Sequence, residues 1–159
     1  MYKIEKILTT IDIDNLNELC DFLPGDMLER KYNLNKIRMT HVDTIYYSMS
    51  AIEKCNHHVG LDLRNVYFLD YFEGSWTNMH VDAHDKETSI GKTIVTVLRD
   101  DGLIGGESLL GIGKNGEQEQ IFVENPIVGD SLIYDTKQRH GVGVVKGGTR
   151  RVMVQWYYA

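Results

Sequence analysis

The rhythm of hydrophobic and polar positions changes near residue 60. Before it, Val42, Ile45, Tyr46, Met49, Ile52 and Cys55 recur at three- and four-residue spacing, one face of a helix that follows Thr40 and stops at Gly60. A shorter helix is expected over Asn15 to Leu23, capped by Asp14 and ended by Pro24-Gly25. The first sixty residues therefore read as helical. From Leu61 the period shortens towards two, in the runs LRNVYFLDYF, TNMHVDAH, KTIVTVLR, GESLLGIG, EQIFVEN, DSLIYD, HGVGVV and RRVMVQWYY, separated by Gly, Asp and Asn. Such runs predict an antiparallel sandwich or barrel, not a parallel sheet with crossover helices. The expected architecture is mainly β with N-terminal helices: a jelly roll with its core over 61–159, buttressed by helices within 1–60.

Composition adds boundaries to this picture. A chain of 159 residues fits a single domain, 1–159, and therefore one site. Its 42% hydrophobic and 25% charged residues exclude a disordered chain. No run approaches the ~18 consecutive apolar residues of a membrane span, so no membrane partner is expected. The N-terminus MYKIEKILTTIDID mixes charge into its apolar positions and lacks the parts of a secretory signal, which makes a cytoplasmic protein the expectation. Cys20 and Cys55 form no CxxC pair and read as reduced core thiols. A net charge of -6 argues against a nucleic-acid binder, although Arg150-Arg151 shows that positive charge clusters locally.

The candidate chemistry begins at His80-Val81-Asp82. In a strand, residues i and i+2 share a face, so an imidazole and a carboxylate converge there. A second histidine, His140 at the head of HGVGVV, would complete a facial triad of the kind that leaves open positions on Fe(II). His84 and Asp85 continue the same pattern and are alternative ligands. His57-His58 diverge on a helix and read as exposed or dipole-paired. GIGKNG, Gly111 to Gly116, matches GxGxxG formally but lies between strand-like runs and reads as a hairpin turn. Trp76 either contacts substrate at the barrel mouth or caps the core. Along RRVMVQWYY, Arg150 shares a face with Val152, Val154 and Trp156, and Arg151 with Met153, Gln155 and Tyr157, so only one arginine can reach a site.

From Tyr71 to Ala159 the pattern YFEGSWTNMHVD, GGES, VGDSLIYD, RHGVGVV, GGTRRVMVQWYYA resembles the catalytic core of the prolyl 4-hydroxylase-like 2-oxoglutarate/Fe(II) dioxygenases. The resemblance implies a double-stranded β-helix, with Fe(II) on His80, Asp82 and His140. It implies 2-oxoglutarate as co-substrate and ascorbate as a reductant. The basic residue six positions before the tryptophan, Arg150, would take the distal carboxylate with help from Tyr71, and Thr96 is a further candidate for that pocket. The implied reaction is hydroxylation of an unactivated C–H bond, with succinate and CO2 as co-products. A prolyl or other peptide side chain leads as substrate, followed by a free amino acid or small molecule, then a nucleobase. The chain departs from the pattern in its shortness, in an arginine where collagen-type enzymes carry lysine, and in Thr77 where many relatives carry an aromatic residue. Two rivals remain at this level: a non-catalytic β-barrel binding module, and a cupin-like metal enzyme without 2-oxoglutarate.

Overall fold

The computed structural model describes residues 2–30, 33–82, 90–113 and 118–159. The chain runs through β1 (Tyr2–Lys6), α1 (Thr10–Phe22), β2 (Asp26–Arg30), β3 (Asn33–His41), a 3-10 turn (Thr44–Tyr46) and α2 (Ser50–Val59). It continues through β4 (Leu63–Tyr71), β5 (Thr77–His80), β6 (Ile90–Gly105), β7 (Ser108–Ile112), β8 (Gln120–Glu124), β9 (Asp130–Asp135), β10 (Arg139–Val142) and β11 (Val145–Tyr158). Seven strands form one sheet in the order β1-β9-β6-β11-β4-β3-β2, and four form a second, β5-β10-β7-β8. Every pairing is antiparallel. The two sheets enclose a cavity between them, the arrangement of a double-stranded β-helix.

Alternation along the central strands decides what lies on each side. In β4, Val66 and Phe68 pack outward and Tyr67, Leu69 and Tyr71 inward; in β11, Met153 and Tyr157 go outward and Val152 and Val154 inward. Leu16, Leu19, Ile52 and Cys55 of the helices cover the outward set. Full burial of each such Leu, Ile or Phe contributes roughly 1.5–3 kcal/mol. The helices thus close the back of the large sheet and leave its front free to build a site.

Three of the seven strands, β1, β2 and β3, come from the segment that reads as helical. The alternation in Lys3-Ile4-Glu5 and Ile37-Arg38-Met39 covers too few residues to stand out from helical spacing, and only pairing with β9 and β4 makes it strand. The expected helix after Thr40 is likewise shortened, because Val42 still bonds the β4 residue Val66 and helix begins only at Ser50. Its end falls at Gly60 as expected, in the left-handed conformation with φ of 71°. Helix α1 starts a turn earlier than Asp14 indicates. Thr9 and Asp12 form a reciprocal capping box, with the Asp12 amide donating to Thr9 Oγ1 at 3.2 Å and the Thr9 amide to Asp12 Oδ2 at 3.0 Å. The GIGKNG segment joins β7 to β8, which pair directly with Ile112 opposite Gln120, as a hairpin connection requires; residues 114–117 lie outside the described residues.

Candidate metal centre and its cavity

His80 ends β5 and His140 lies in β10, directly opposite it in register. Their rings come within 4.3 Å of each other, centroid to centroid. Asp82 leaves β5 just beyond its end, its amide donating to the Thr136 carbonyl at 3.2 Å. Asp82 Oδ1 then lies 3.2 Å from His140 Nε2 and 3.6 Å from His80 Nε2. The candidate ligand atoms of the three residues all fall within 4.8 Å of one another.

The hydrogen bonds behind the rings define what this cluster wants. His80 Nδ1 lies 2.7 Å from the Asn78 carbonyl and His140 Nδ1 2.8 Å from the Gln138 carbonyl. A carbonyl only accepts, so each Nδ1 donates, and the Nε2 of each ring is the atom turned towards Asp82. Two imidazole nitrogens and a carboxylate oxygen thus converge on one point, where a proton or a metal cation can be shared among them. Burial pushes the Asp82 carboxyl up, but the His140 and His80 imidazoles and the Thr93 hydroxyl outweigh it and hold it well below the usual carboxylate range. Asp82 is therefore an anion, and Thr93 Oγ1 donates to its other oxygen at 2.7 Å. Carbonyl-anchored imidazoles with a hydrogen-bonded carboxylate form the donor set and outer shell that suit a divalent metal.

From the triad a cavity of about 120 Å³ runs between the sheets to Arg150. Arg150 is 3% exposed and donates from Nη2 to Ser108 Oγ at 3.0 Å. Its guanidinium stands 5.7 Å from the centre of the Tyr71 ring, its register partner. Burial draws its pKa down, partly offset by Tyr71, Tyr134 and Asp100, yet a guanidinium keeps its charge. Among the described residues no carboxylate forms an ion pair with it, whereas Arg151 on the other face is bound to Asp70 and Asp21. A buried cation on a cavity wall, with no carboxylate in ion-pair contact among the described residues, is suited to an anion.

The other candidate residues divide. Tyr71 lines the cavity, its hydroxyl 3.1 Å from Thr77 Oγ1. Thr96 does not: its hydroxyl lies 2.7 Å from Ser131 Oγ, and its strand neighbour Val95 is the one that faces the cavity. Alternation in β6 thus removes Thr96 from the pocket for which it is a candidate. Trp76 also lies off the cavity wall, its indole N–H bonded to Asn78 Oδ1 at 3.0 Å; the tryptophan that lines the cavity is Trp156. His84 and Asp85 lie outside the described residues. His58 pairs with Glu5, in keeping with a histidine at a helix end and away from the triad.

Residues that the sequence pattern does not single out complete the site. Tyr134 stacks on His140, rings 4.5 Å apart and inclined by 37°. Burial, reinforced by the Asp82 charge, raises its phenol well above the ordinary value, so it stays protonated. Thr93 and Ser108 hold Asp82 and Arg150. Thr93 and Tyr134 are register partners on β6 and β9, a pairing visible only once strand order is known. Ser108 follows GGE in the GGES run, so its nearness to the site is partly legible in the sequence.

No family model matches the sequence, and no curated protein sequence does either. Solved structures share the fold over almost the whole chain. An oxidoreductase of the 2OG-Fe(II) oxygenase family from Burkholderia pseudomallei superposes with a TM-score of 0.77 at 16% identity, covering 99% of this chain and 84% of that one. A prolyl-4-hydroxylase from Pseudomonas putida gives 0.75 at 15% identity, covering 99% and 91%. The non-haem α-ketoglutarate-dependent epimerase SnoN from nogalamycin biosynthesis gives 0.77 at 13% identity, covering 99% and 78%. The jelly roll expected from the strand pattern is thus the fold of the chain, and it is the fold of these oxygenases.

Proposed function

We propose that this chain is a non-haem Fe(II) oxygenase with 2-oxoglutarate as co-substrate, hydroxylating an unactivated C–H bond. The observation that carries the reading is the pairing, in one cavity, of the His80–Asp82–His140 cluster with a buried arginine that forms no ion pair with a carboxylate among the described residues. His80, Asp82 and His140 would hold Fe(II), which would supply oxygen activation coupled to decarboxylation of 2-oxoglutarate to succinate and CO2. The chain's own part is placement. Arg150 binds the distal carboxylate through its planar fork, Ser108 orients that fork, and the Tyr71 ring stands beside it. The apolar walls Leu69, Val95, Leu132, Val152 and Val154 exclude water from the reacting groups. Such a seat is of no use to a cupin-like enzyme without 2-oxoglutarate.

For the substrate, a prolyl or other peptide side chain is the leading reading, supported by the likeness to the Pseudomonas prolyl-4-hydroxylase and by an apolar wall suited to an aliphatic ring. Oxygenation of a free amino acid or small molecule is the second, favoured by the equal likeness to the epimerase SnoN. The first test is anaerobic titration of the apo-protein with Fe(II) and 2-oxoglutarate. A weak visible charge-transfer band is expected in the wild type and not in Asp82→Ala. Its absence from the wild type would sink the proposal in favour of a non-catalytic barrel.

A further inference from the structure

The sheet divides the two adjacent arginines of β11, and the outward one is tied down far more heavily than the inward one. Arg151, Asp70 and Arg38 are register partners across β11, β4 and β3, and Arg150, Tyr71 and Ile37 form the neighbouring row. Arg151 Nε donates to Asp70 Oδ1 at 2.7 Å, Nη2 to Asp21 Oδ1 at 2.8 Å and Nη1 to Asn17 Oδ1 at 3.2 Å. Arg38 lies 3.6 Å from the second oxygen of Asp70 and also donates to the Leu23 carbonyl. The buried Cys20 thiol faces the same oxygen.

A buried pair of this kind is expensive to desolvate and on its own is weak evidence of stability; its attested use is to specify register. On one side the register at this place is short, regular against β6 only from Thr149 to Arg151. Against β6, β11 shifts between Arg151 and Val152, and twice more between Val145 and Thr149. Against β4 it runs unbroken from Arg150 to Trp156. The longer unbroken ladder beside Arg150 is thus the one on the β4 side, where Asp70 grips Arg151 one residue away, with Asn17 and Asp21 of α1 closing the grip from behind.

We propose that the Asp70–Arg151 pair is a positioning device for the anion seat: from outside the cavity it locks β11 to β4 so that Arg150 and Tyr71 face the ligand together. The inference rests on the reading of Arg150 as the co-substrate's partner. The test measures two dissociation constants on the full chain, for Fe(II) alone and for 2-oxoglutarate with Fe(II) present, both anaerobically. Asp70→Asn is expected to weaken 2-oxoglutarate about tenfold, the scale of a sub-ångström misplacement, and to leave Fe(II) binding within about twofold. Arg151→Lys keeps the charge but loses the fork, and is expected to fall between wild type and Asp70→Asn. The double variant Asp70→Leu with Arg151→Met replaces the pair by packing; folded, it is expected to show the same selective loss. A 2-oxoglutarate constant unchanged in Asp70→Asn and in the double variant, while Arg150→Met weakens it, overturns the positioning role. Equal weakening of both ligands overturns it too, as a merely structural effect. If Arg150→Met itself leaves 2-oxoglutarate binding intact, the reading of the seat fails first.

Discussion

Thr93 donates to Asp82 Oδ2, and Asp82 Oδ1 faces the two imidazoles. That hydroxyl fixes which carboxylate oxygen is offered to a metal. Thr93→Val keeps the shape and deletes the donor, and outer-shell losses of this sort typically cost about 10–100-fold in metal affinity. Fe(II) or Mn(II) titration is expected to show that loss with the fold intact; unchanged affinity would make Thr93 a packing residue only. The two cysteines are the other residues with a sharp expectation. Both are free and buried, and burial pushes the Cys20 thiol up to about 11 and the Cys55 thiol to about 12. The folded values lie above the ordinary value of 9.0, so the unfolded chain releases these protons first. Their contribution to stability is complete below about pH 9 and is lost as pH rises towards 12. Neither thiol is expected to react with iodoacetamide in the native protein at about pH 8, and both are expected to react in urea; native labelling of either would contradict the burial.

At the scale of elements, the approach of β5 to β10 is what brings His80 against His140. Gly141 permits it: a Cβ there would lie 2.7 Å from the Thr77 carbonyl oxygen and 3.1 Å from Met79 Sδ. Gly141→Ala must push the two strands apart beside the candidate metal ligand His140. A stability loss of ~1–3 kcal/mol is expected from overpacking, with Fe(II) affinity falling well below the wild type's. A variant with wild-type affinity would show that the triad tolerates strand separation. The same elements mark the reach of the sequence. Alternation along β11 is enough to put Arg150 and Arg151 on opposite faces, because the strand is long and a different set of partners covers each face. The strands β1 and β3 stay hidden, since their identity depends on long-range pairing with β9 and β4, and the edge strand β2 stays hidden with its partner β3. Thr96 is misassigned because the facing of β6 follows from where its pairing with β9 starts: Thr93, opposite Tyr134, turns to Asp82, and three residues on Thr96, opposite Ser131, turns the other way.

For the whole molecule, the site joins the two sheets. The triad hangs on β5 and β10 of the small sheet, and Arg150 on β11 of the large one. A metal alone would meet the large sheet only through the Thr93–Asp82 hydrogen bond, whereas a dicarboxylate that also reached Arg150 would tie one sheet to the other across the cavity. Any ligand that binds only the folded state stabilises it, by ~2.7 kcal/mol at a concentration about a hundred times its dissociation constant. For a chain of this size that is a rise in Tm of roughly 5–10 °C. Thermal unfolding with Mn(II), with 2-oxoglutarate, and with both therefore separates the two halves of the site. Mn(II) alone is expected to raise Tm, 2-oxoglutarate alone to raise it little, and the two together to exceed the sum of the separate shifts. In Arg150→Met the metal shift is expected to persist while the added effect of 2-oxoglutarate disappears, and in Asp82→Ala both are expected to be lost. Strictly additive shifts in the wild type would mean that metal and dicarboxylate bind independently, against the proposal that one dicarboxylate reaches both the metal on the triad and Arg150.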